Sequence, residues 1–217
     1  MNKLTQTFFR RRENIFNTAD VSVLLGGTRN SRNGLIKRAM KEKDIFRIRR
    51  GLYVLSPEFS EKPLSEFVIA QRIYGPSYVS LESALSHYGW IPEGVCATTC
   101  VSFGNAKSFD TPIGYFMYAR IPQNCFYLGV NRVEDSSGVF LIASPEKALC
   151  DYVYEKRLQW SIDDAIESLR IDDEFVDGVK ISALKQLSLN YNNMRVVRFL
   201  KTWINRLKGN SDEHRNN

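Results

Sequence analysis

The sequence predicts an α+β protein in which a winged helix-turn-helix domain precedes a larger mixed α+β domain. The first 55 residues hold 13 basic and 4 acidic side chains, a net charge of +9, whereas the remaining residues hold 17 and 20, a net charge of −3. A polar stretch flanked by prolines, residues 56–63, falls where the charge changes sign. We therefore predict domains at residues 1–58 and 63–208, followed by a flexible tail at 209–217.

The composition is that of a globular protein. The 217 residues are 43% hydrophobic and 25% charged, which excludes a mainly disordered or fibrous chain. No apolar run approaches the ~20 residues that span a bilayer, and the basic start leads into no apolar signal-peptide core. We therefore expect a soluble, cytoplasmic protein without membrane contact. The four cysteines lack Cys-x-x-Cys spacing and only two histidines occur, so we expect reduced core thiols and neither metal nor cofactor.

Helical spacing begins the N-terminal domain. Apolar side chains spread over residues 4–16 predict a first helix. Asn17 or Thr18 then caps a second helix, which Gly26-Gly27 ends. Residues 28–33 are rich in Arg, Asn and Ser, and this composition predicts a polar turn before the next helix.

A third helix and a hairpin complete the winged pattern. Residues 35–40 place four apolar side chains on one helical face, and cations occupy the other faces. Residues 45–49 alternate between apolar and polar, Arg50-Gly51 forms a tight turn, and residues 52–55 predict the returning strand. A helix, a short helix, a polar turn, a basic helix and a basic two-stranded ribbon follow one another in the order of a winged helix-turn-helix.

This order predicts a DNA-binding surface. In such domains the N-terminal end of the third helix reads base edges in the major groove, and the wing contacts the adjacent backbone. Arginine can contact guanine, and asparagine can contact adenine, through two hydrogen bonds. A helix-turn-helix that serves only protein contacts is the alternative. The predicted DNA contacts are Arg29, Asn30, Ser31, Arg32, Asn33, Lys37, Arg38, Lys41, Arg47, Arg49 and Arg50.

The body alternates between helix and strand patterns. Ser144-Pro145 and Ser161 are typical helix starts, because serine caps an N-terminus and proline suits the first helical position. Turn residues separate four runs rich in β-branched and aromatic side chains. The predicted elements are helices at 64–74, 80–89 and 144–156, a helix after Ser161, strands at 95–103, 114–121, 126–131 and 139–143, and one or two amphipathic helices over 181–207.

The body contains no recognisable catalytic motif. Phosphate-binding glycine loops, metalloprotease and serine-hydrolase motifs, and the Asp/Glu-x-Lys triplet of many nucleases are absent from the sequence. The acidic residues Asp172–Glu174 and Asp177 predict a solvated loop rather than a metal site, and His87 predicts a packed rather than a catalytic histidine. We therefore assign no catalytic residues and do not expect an enzyme.

Three sequence blocks carry a family resemblance. They are FRIRRGLYV at 46–54, YVSLESALSHYG at 78–89 and IASPEKALCD at 142–151. In this order and spacing they resemble the AbiEi family, which comprises bacterial antitoxins and transcriptional regulators of type IV, abortive-infection toxin–antitoxin systems. The resemblance covers about residues 5–157 of the chain.

The resemblance implies two roles. The winged domain would bind inverted repeats of double-stranded DNA in its own promoter and repress transcription, and the body would neutralise a cognate nucleotidyltransferase-like toxin, with or without a stable complex. Arg10–Arg12 are more basic than a buried first helix requires, and they predict a further DNA-backbone contact. For the antitoxin role the resemblance points to Ser80, Glu82, Ser83, His87, Lys147 and Asp151, for which capping and packing is the alternative.

Two other functions stay open at this point. A nucleic-acid-processing enzyme, such as a nuclease that the winged domain delivers to its substrate, would show metal-dependent cleavage. A transcriptional regulator whose body senses a small ligand would have no toxin partner. A neighbouring gene for a nucleotidyltransferase-like protein would favour the antitoxin over both.

Overall fold

The computed structural model describes residues 1–60, 63–92 and 94–213. These residues form an α+β fold with two β-sheets, one in the N-terminal part of the chain and one in the body. Residues 61–62 of the predicted domain boundary and residues 214–217 of the predicted tail lie outside the described residues.

Helices and a small antiparallel sheet form the N-terminal part. The bounds are Lys3–Arg11 for α1, Ile15–Asn17 for β1, Thr18–Leu25 for α2, Arg29–Lys41 for α3, Ile45–Arg49 for β2 and Leu52–Leu55 for β3. The strand order is β1-β3-β2, so β3 lies between the other two strands and pairs with both.

Two predicted boundaries in this part are wrong. The helix predicted at residues 4–16 ends at Arg11, because Arg12 adopts a left-handed backbone conformation and the chain then enters β1. The turn predicted at residues 28–33 is almost entirely helical. Thr28 caps α3, and its hydroxyl oxygen accepts a hydrogen bond from an amide of the first turn at 3.2 Å.

The second helix and the hairpin are confirmed. Asn17 caps α2, and the side chains of Asn17 and Asp20 each accept a hydrogen bond from the backbone amide of the other residue. Gly26 then ends α2, as predicted, with a positive φ of 61°. The turn between β2 and β3 contains Gly51, whose φ of 79° suits glycine.

The N-terminal sheet contributes to two hydrophobic cores. Phe16 and Tyr53 pack with the helices of this part, where the ring of Phe8 stacks on that of Phe16 with 3.9 Å between centroids. Leu52 and Val54 belong instead to the core of the body. Because β3 alternates between the two cores, the sheet is a layer shared by the N-terminal part and the body.

The body is built on a mixed sheet with helices packed around it. Its elements are α4 Glu66–Ile73, β4 Ser77–Val79, α5 Leu81–His87, β5 Thr98–Ser102, β6 Lys107–Thr111, β7 Gly114–Arg120, β8 Val130–Asp135, β9 Gly138–Ala143, α6 Pro145–Glu155, α7 Ile162–Leu169, α8 Asp173–Asp177, α9 Ile181–Asn190 and α10 Met194–Glu213, with single 3-10 turns at Pro57–Phe59 and Gln123–Cys125. The strand order is β6-β7-β5-β4-β9-β8, in which β4 pairs with β9, and β5 with β7, in parallel.

The predicted helices of the body are confirmed, and most differences concern strands. The sequence does not predict β4 or β6, because a three-residue strand and a polar edge strand show little apolar alternation. The strand predicted at 126–131 lies at Val130–Asp135, because Asp135 pairs with Gly138 across the turn and so sets the register with β9. At the C-terminal end, α10 continues to Glu213, into the predicted tail.

The four cysteines are free thiols. Cys100, Cys125 and Cys150 are buried, as predicted, whereas Cys96 is exposed because it precedes β5 rather than lying within it. Burial raises the pKa of the three buried thiols, so they stay protonated at neutral pH. They are therefore poor nucleophiles, and they act as small apolar side chains in the core.

Candidate functional site

The outer face of α3 is polar and positively charged. Asn30, Asn33, Lys37 and Lys41 are exposed, and their spacing of three or four residues places them along one side of the helix. Gly34 lies on the same side, where an added Cβ would meet no atom within 4 Å. The opposite side of α3 packs into the N-terminal core. The helix therefore lies on the molecular surface with a polar stripe facing solvent.

Most of the other predicted DNA contacts on α3 are also exposed. Arg29, Ser31 and Arg38 flank the stripe. Arg29, Lys37 and Lys41 form no ion pair within 4.0 Å with the carboxylates that the structure describes, so their charges are available to a ligand.

Arg32 has a structural contact that the sequence did not reveal. Its guanidinium donates hydrogen bonds to the carbonyl oxygens of Gly26 and Gly27, at 3.2 and 2.5 Å. These carbonyls end α2, and their partial negative charge favours a cation. Arg32 is only partly exposed and stabilises the connection between α2 and α3.

The hairpin arginines are exposed but do not share one environment. The backbone amide of Thr18 donates to the Gly51 carbonyl at 3.1 Å, which holds the hairpin turn at the N-terminus of α2. Between Arg47 and Arg49 the register of β2 shifts by one residue. Burial raises the pKa of Tyr118 on β7, and the nearby charge of Arg49 opposes part of that rise. Arg49 therefore lies where the hairpin meets the body, and Arg50 lies in the turn itself.

The three arginines predicted as an additional DNA-backbone contact differ in their surroundings at the end of α1. Arg10 is exposed, whereas the guanidinium of Arg11 pairs with Glu13 at 2.9 Å. Arg12 forms the left-handed cap of α1. A backbone contact by these three residues stays a prediction.

Three of the six body residues singled out by the resemblance meet in one buried cluster. The Lys147 ammonium lies 2.7 Å from Asp151 Oδ1, and the Ser80 hydroxyl donates to Asp151 Oδ2 at 2.7 Å. Two tyrosines complete the cluster: the Tyr78 hydroxyl donates to Oδ2 at 2.9 Å, and the Tyr191 hydroxyl donates to Oδ1 at 2.5 Å. We call these five residues the Asp151 cluster.

Within the Asp151 cluster, the carboxylate charge is balanced by Lys147 and both carboxylate oxygens accept hydrogen bonds. The Lys147 ammonium also lies 4.6 Å from the centroid of the Tyr191 ring, a cation–π distance. Burial raises the pKa of Tyr78 and Tyr191 well above its usual value, and the negative charge of Asp151 raises it further. Both hydroxyls therefore stay protonated and continue to donate to Asp151. Because every member is at most 1% exposed, the cluster cannot touch a partner, and it fixes the packing of α6 against β4 and α9.

Two of the five cluster residues could be recognised from the local sequence pattern. Lys147 and Asp151 are one turn apart on an otherwise apolar part of α6. Because an unpaired buried charge is strongly unfavourable, this spacing predicts an ion pair between them. Tyr78 and Tyr191 had no such signal, because they are 73 and 40 residues from Asp151 and no local pattern relates them to it. Ser80 occupies the predicted N-cap position of α5, yet its hydroxyl donates to Asp151 instead of capping the helix.

The other three residues of the set lie apart from the cluster. Glu82 is partly exposed and pairs with Lys156 at 3.6 Å. The Ser83 hydroxyl accepts from the Thr99 amide at 2.8 Å and attaches α5 to β5. His87 is exposed, and its ring meets that of Tyr88 edge to face. The structure therefore does not assemble the six residues into one site.

The acidic segment predicted as a solvated loop forms α8 and binds an arginine. The Arg206 guanidinium donates to Asp163 at 2.8 Å, to Asp177 at 2.9 Å and to Asp173. Across residues 1–60, 63–92 and 94–213, no group of three or more His, Cys, Asp or Glu side chains is placed to hold a metal ion. None of the helices in these ranges is long and apolar enough to cross a bilayer.

Comparisons with known proteins bear on the fold. No family model matches the chain, and no curated protein matches it significantly. Among solved structures, the crystal structure of RV2827C protein from Mycobacterium tuberculosis is similar, with a TM-score of 0.54 and 14% sequence identity over 92% of this chain and 80% of that chain. At this identity the similarity concerns the overall α+β arrangement.

Proposed function

We propose that this chain is a DNA-binding transcriptional regulator whose N-terminal part is a winged helix-turn-helix with α3 as the recognition helix. The observation that carries the proposal is the outer stripe of α3, where Asn30, Asn33, Lys37 and Lys41 are exposed along one side of a surface helix. Asparagine amides can read adenine, and lysines can neutralise phosphates on either side of a groove.

The surroundings of α3 support this role. The order α1-β1-α2-α3-β2-β3 and the antiparallel sheet β1-β3-β2 are those expected of a winged domain. The surplus of +9 charges in the first 55 residues gives the long-range attraction that a polyanion requires. Arg32 has a supporting role here, because its contacts with Gly26 and Gly27 hold α3 in place.

We extend the proposal to an antitoxin and autorepressor of the AbiEi type, on the resemblance of the three sequence blocks. In this role the chain would bind repeats in its own promoter and neutralise a cognate nucleotidyltransferase-like toxin in the bacterial cytoplasm, and it would catalyse no reaction. Since Ser80, Lys147 and Asp151 are buried, toxin neutralisation would depend on other, exposed body residues, and the Asp151 cluster would keep the body folded.

Binding to the promoter of the chain's own operon tests the DNA-binding proposal. The full chain is used, because residues 1–60 alone would expose Leu52 and Val54, which belong to the body core. We expect Lys37→Glu/Lys41→Glu to weaken promoter binding at least about 100-fold and to lower the slope of log affinity against log salt by about 2. Electrophoretic mobility shift titrations at several salt concentrations measure both.

The matched control is Lys180→Glu/Lys185→Glu. These lysines are exposed near the start of α9, and the change in net charge is the same. Promoter affinity that falls equally in both double variants, or in neither, would show that α3 is not the recognition helix. Metal-dependent cleavage of the promoter fragment by the purified protein would favour a nuclease instead.

The antitoxin role has its own test. The gene next to this one is co-expressed with the full chain, and cell growth is measured. We expect rescue by the wild-type chain and by Lys37→Glu/Lys41→Glu, because the stripe on α3 would serve DNA and not the toxin. A neighbouring gene that encodes no nucleotidyltransferase-like protein, or a lack of rescue by the wild-type chain, would refute the antitoxin role and leave the DNA-binding proposal standing.

A further inference from the structure

A depression on the body is lined by three arginines that the DNA-binding proposal does not use. Arg120 ends β7, Arg157 follows α6, and Arg195 lies in the first turn of α10. The depression has a volume of about 560 Å³, within the range of small-ligand sites. Three different elements therefore bring guanidinium groups to one concave place.

The charges in this depression are poorly compensated within the protein. None of the three arginines forms an ion pair within 4.0 Å with a carboxylate of the residues that the structure describes. Arg120 donates to the Asn105 side-chain oxygen at 3.4 Å. Among the described residues that line the depression, Glu155 carries the one carboxylate, so this lining keeps a net positive charge.

Arg195 gives a second, independent indication. Its Nε atom is buried, and no hydrogen-bond acceptor contacts it among the described residues. A buried donor without an acceptor is unfavourable, and the Arg195 guanidinium that carries it lines the depression without an ion pair to a described carboxylate. The Asn193 side chain caps α10 by accepting from the Arg195 amide at 3.0 Å, which places this arginine at the positive end of a 20-residue helix.

The basic character continues beyond the depression. On its other side, Arg195 lines a second depression with Arg198 and Lys201, and none of the described residues that line this second depression is acidic. The body as a whole carries more acidic than basic residues. Five cations line these two adjoining depressions, which is a local concentration and does not reflect the average composition.

We propose that the depression formed by Arg120, Arg157 and Arg195 binds the phosphate group of a small phosphorylated molecule, such as a nucleotide. The planar guanidinium donates two parallel hydrogen bonds to phosphate oxygens, and three such groups can surround one phosphate. A concave site built from three elements suits a compact ligand better than the extended backbone of a duplex. The proposal is independent of DNA binding by α3.

Calorimetric titration of the full chain with inorganic pyrophosphate and with ADP tests the proposal, and adenosine serves as the probe without phosphate. We expect saturable binding of pyrophosphate and ADP at one site per chain, and no binding of adenosine. We expect Arg120→Gln and Arg157→Gln each to weaken pyrophosphate binding about tenfold. Arg195→Lys should weaken it as well, because a lysine keeps the charge and loses the two-pronged donor.

Arg132→Gln is the matched control, since Arg132 is exposed, pairs with Glu134 and lies on β8, at the opposite edge of the sheet from β6. This variant should bind pyrophosphate within about twofold of the wild type. The proposal is overturned if pyrophosphate does not bind saturably, or if Arg120→Gln and Arg157→Gln leave its affinity unchanged.

Duplex DNA of random sequence separates a small ligand from a nucleic-acid surface. If the duplex displaces pyrophosphate, and Arg120→Gln and Arg157→Gln weaken both ligands equally, the depression is part of a nucleic-acid track and the proposal is wrong. Lys37→Glu/Lys41→Glu should leave pyrophosphate affinity unchanged. The failure of either proposal can therefore be recognised without reference to the other.

Discussion

Lys147 and Asp151 form an ion pair in the interior of the body, one helical turn apart on α6. The ammonium nitrogen lies 2.7 Å from Asp151 Oδ1, and both side chains are 0% exposed. Burying two charges is unfavourable, and the pair is tolerated because three hydroxyls satisfy the remaining lone pairs of the carboxylate. The packing of the body therefore depends on both charges being present, because either one alone would be buried without a partner.

Removing one partner of this pair should destabilise the protein strongly. We expect Asp151→Ala to lower the free energy of unfolding by about 3–5 kcal/mol, because Lys147 would stay buried without a counter-charge. Urea denaturation followed by circular dichroism measures the loss. Lys147→Met/Asp151→Asn should be less destabilised than the sum of its single variants, and strict additivity would show that the two charges are not coupled. Arg132→Gln, which breaks an exposed pair, should cost less than about 1 kcal/mol.

Alkaline pH should destabilise the protein through its buried tyrosines. The folded-state pKa of Tyr78 and Tyr191 is raised above the ordinary value of 10.0, so above about pH 10 the unfolded chain releases protons that the folded chain keeps. Each tyrosine then lowers the free energy of unfolding by about 1.4 kcal/mol per pH unit. The three buried thiols act in the same direction from about pH 9. Urea midpoints between pH 7 and pH 11 measure the effect.

Tyr191→Phe isolates one of these groups. At pH 7 it should lower stability by about 1–3 kcal/mol, because Asp151 loses a buried hydrogen bond. Above pH 10 its stability should decline less steeply than that of the wild type, by about 1.4 kcal/mol per pH unit. Parallel declines in the two proteins would contradict the raised pKa of Tyr191.

Gly34 offers a test that separates stability from DNA binding. Glycine inside a helix is unfavourable by about 0.5–1 kcal/mol relative to alanine, and an added Cβ at this position meets no atom within 4 Å. Gly34→Ala should therefore raise the thermal midpoint.

Under the DNA-binding proposal, Gly34→Glu should fold and yet bind the promoter at least about tenfold more weakly, because its carboxylate would lie between Asn30 and Lys37 on the groove-facing side. Wild-type promoter affinity in Gly34→Glu would mean that this side of α3 does not face DNA.

Arg206 joins α7 and α8 to α10, and its removal should loosen all three. In Arg206→Met the carboxylates of Asp163, Asp173 and Asp177 lose their shared cation. We expect a loss of about 1–2 kcal/mol at low ionic strength and a smaller loss in 1 M NaCl, where these charges are screened. Arg198→Met, on the same helix and outside this network, should change stability by less than about 0.5 kcal/mol. An effect of Arg206→Met that is independent of salt would contradict an electrostatic origin.

The sequence predicts the elements whose signals are local. Ser144 and Pro145 place the start of α6, and the reciprocal bonds of Ser161 and Asp164 place the start of α7. The hairpin of β2 and β3 follows from two short runs rich in apolar and β-branched residues on either side of the Arg50-Gly51 turn. In each case the residues that determine the element are within a few positions of one another.

What the sequence does not predict depends on distant partners. β6 is polar at most positions and becomes a strand only because it pairs with β7 along an exposed edge. Tyr191 is 40 residues from Asp151, and nothing in its own segment indicates that its hydroxyl will donate to a buried carboxylate. The arginine-lined depression combines a strand end, a helix end and a helix start that no local pattern relates.

The position of β3 between the N-terminal part and the body restricts how these two parts can move relative to each other. Its four residues are all buried, some against α1–α3 and others against the body, so the two parts of the chain share structure and are not joined by a free tether. If α3 enters the groove of a duplex, the body cannot rotate independently of α3, because both pack on β3. The body would then keep one fixed orientation relative to that duplex.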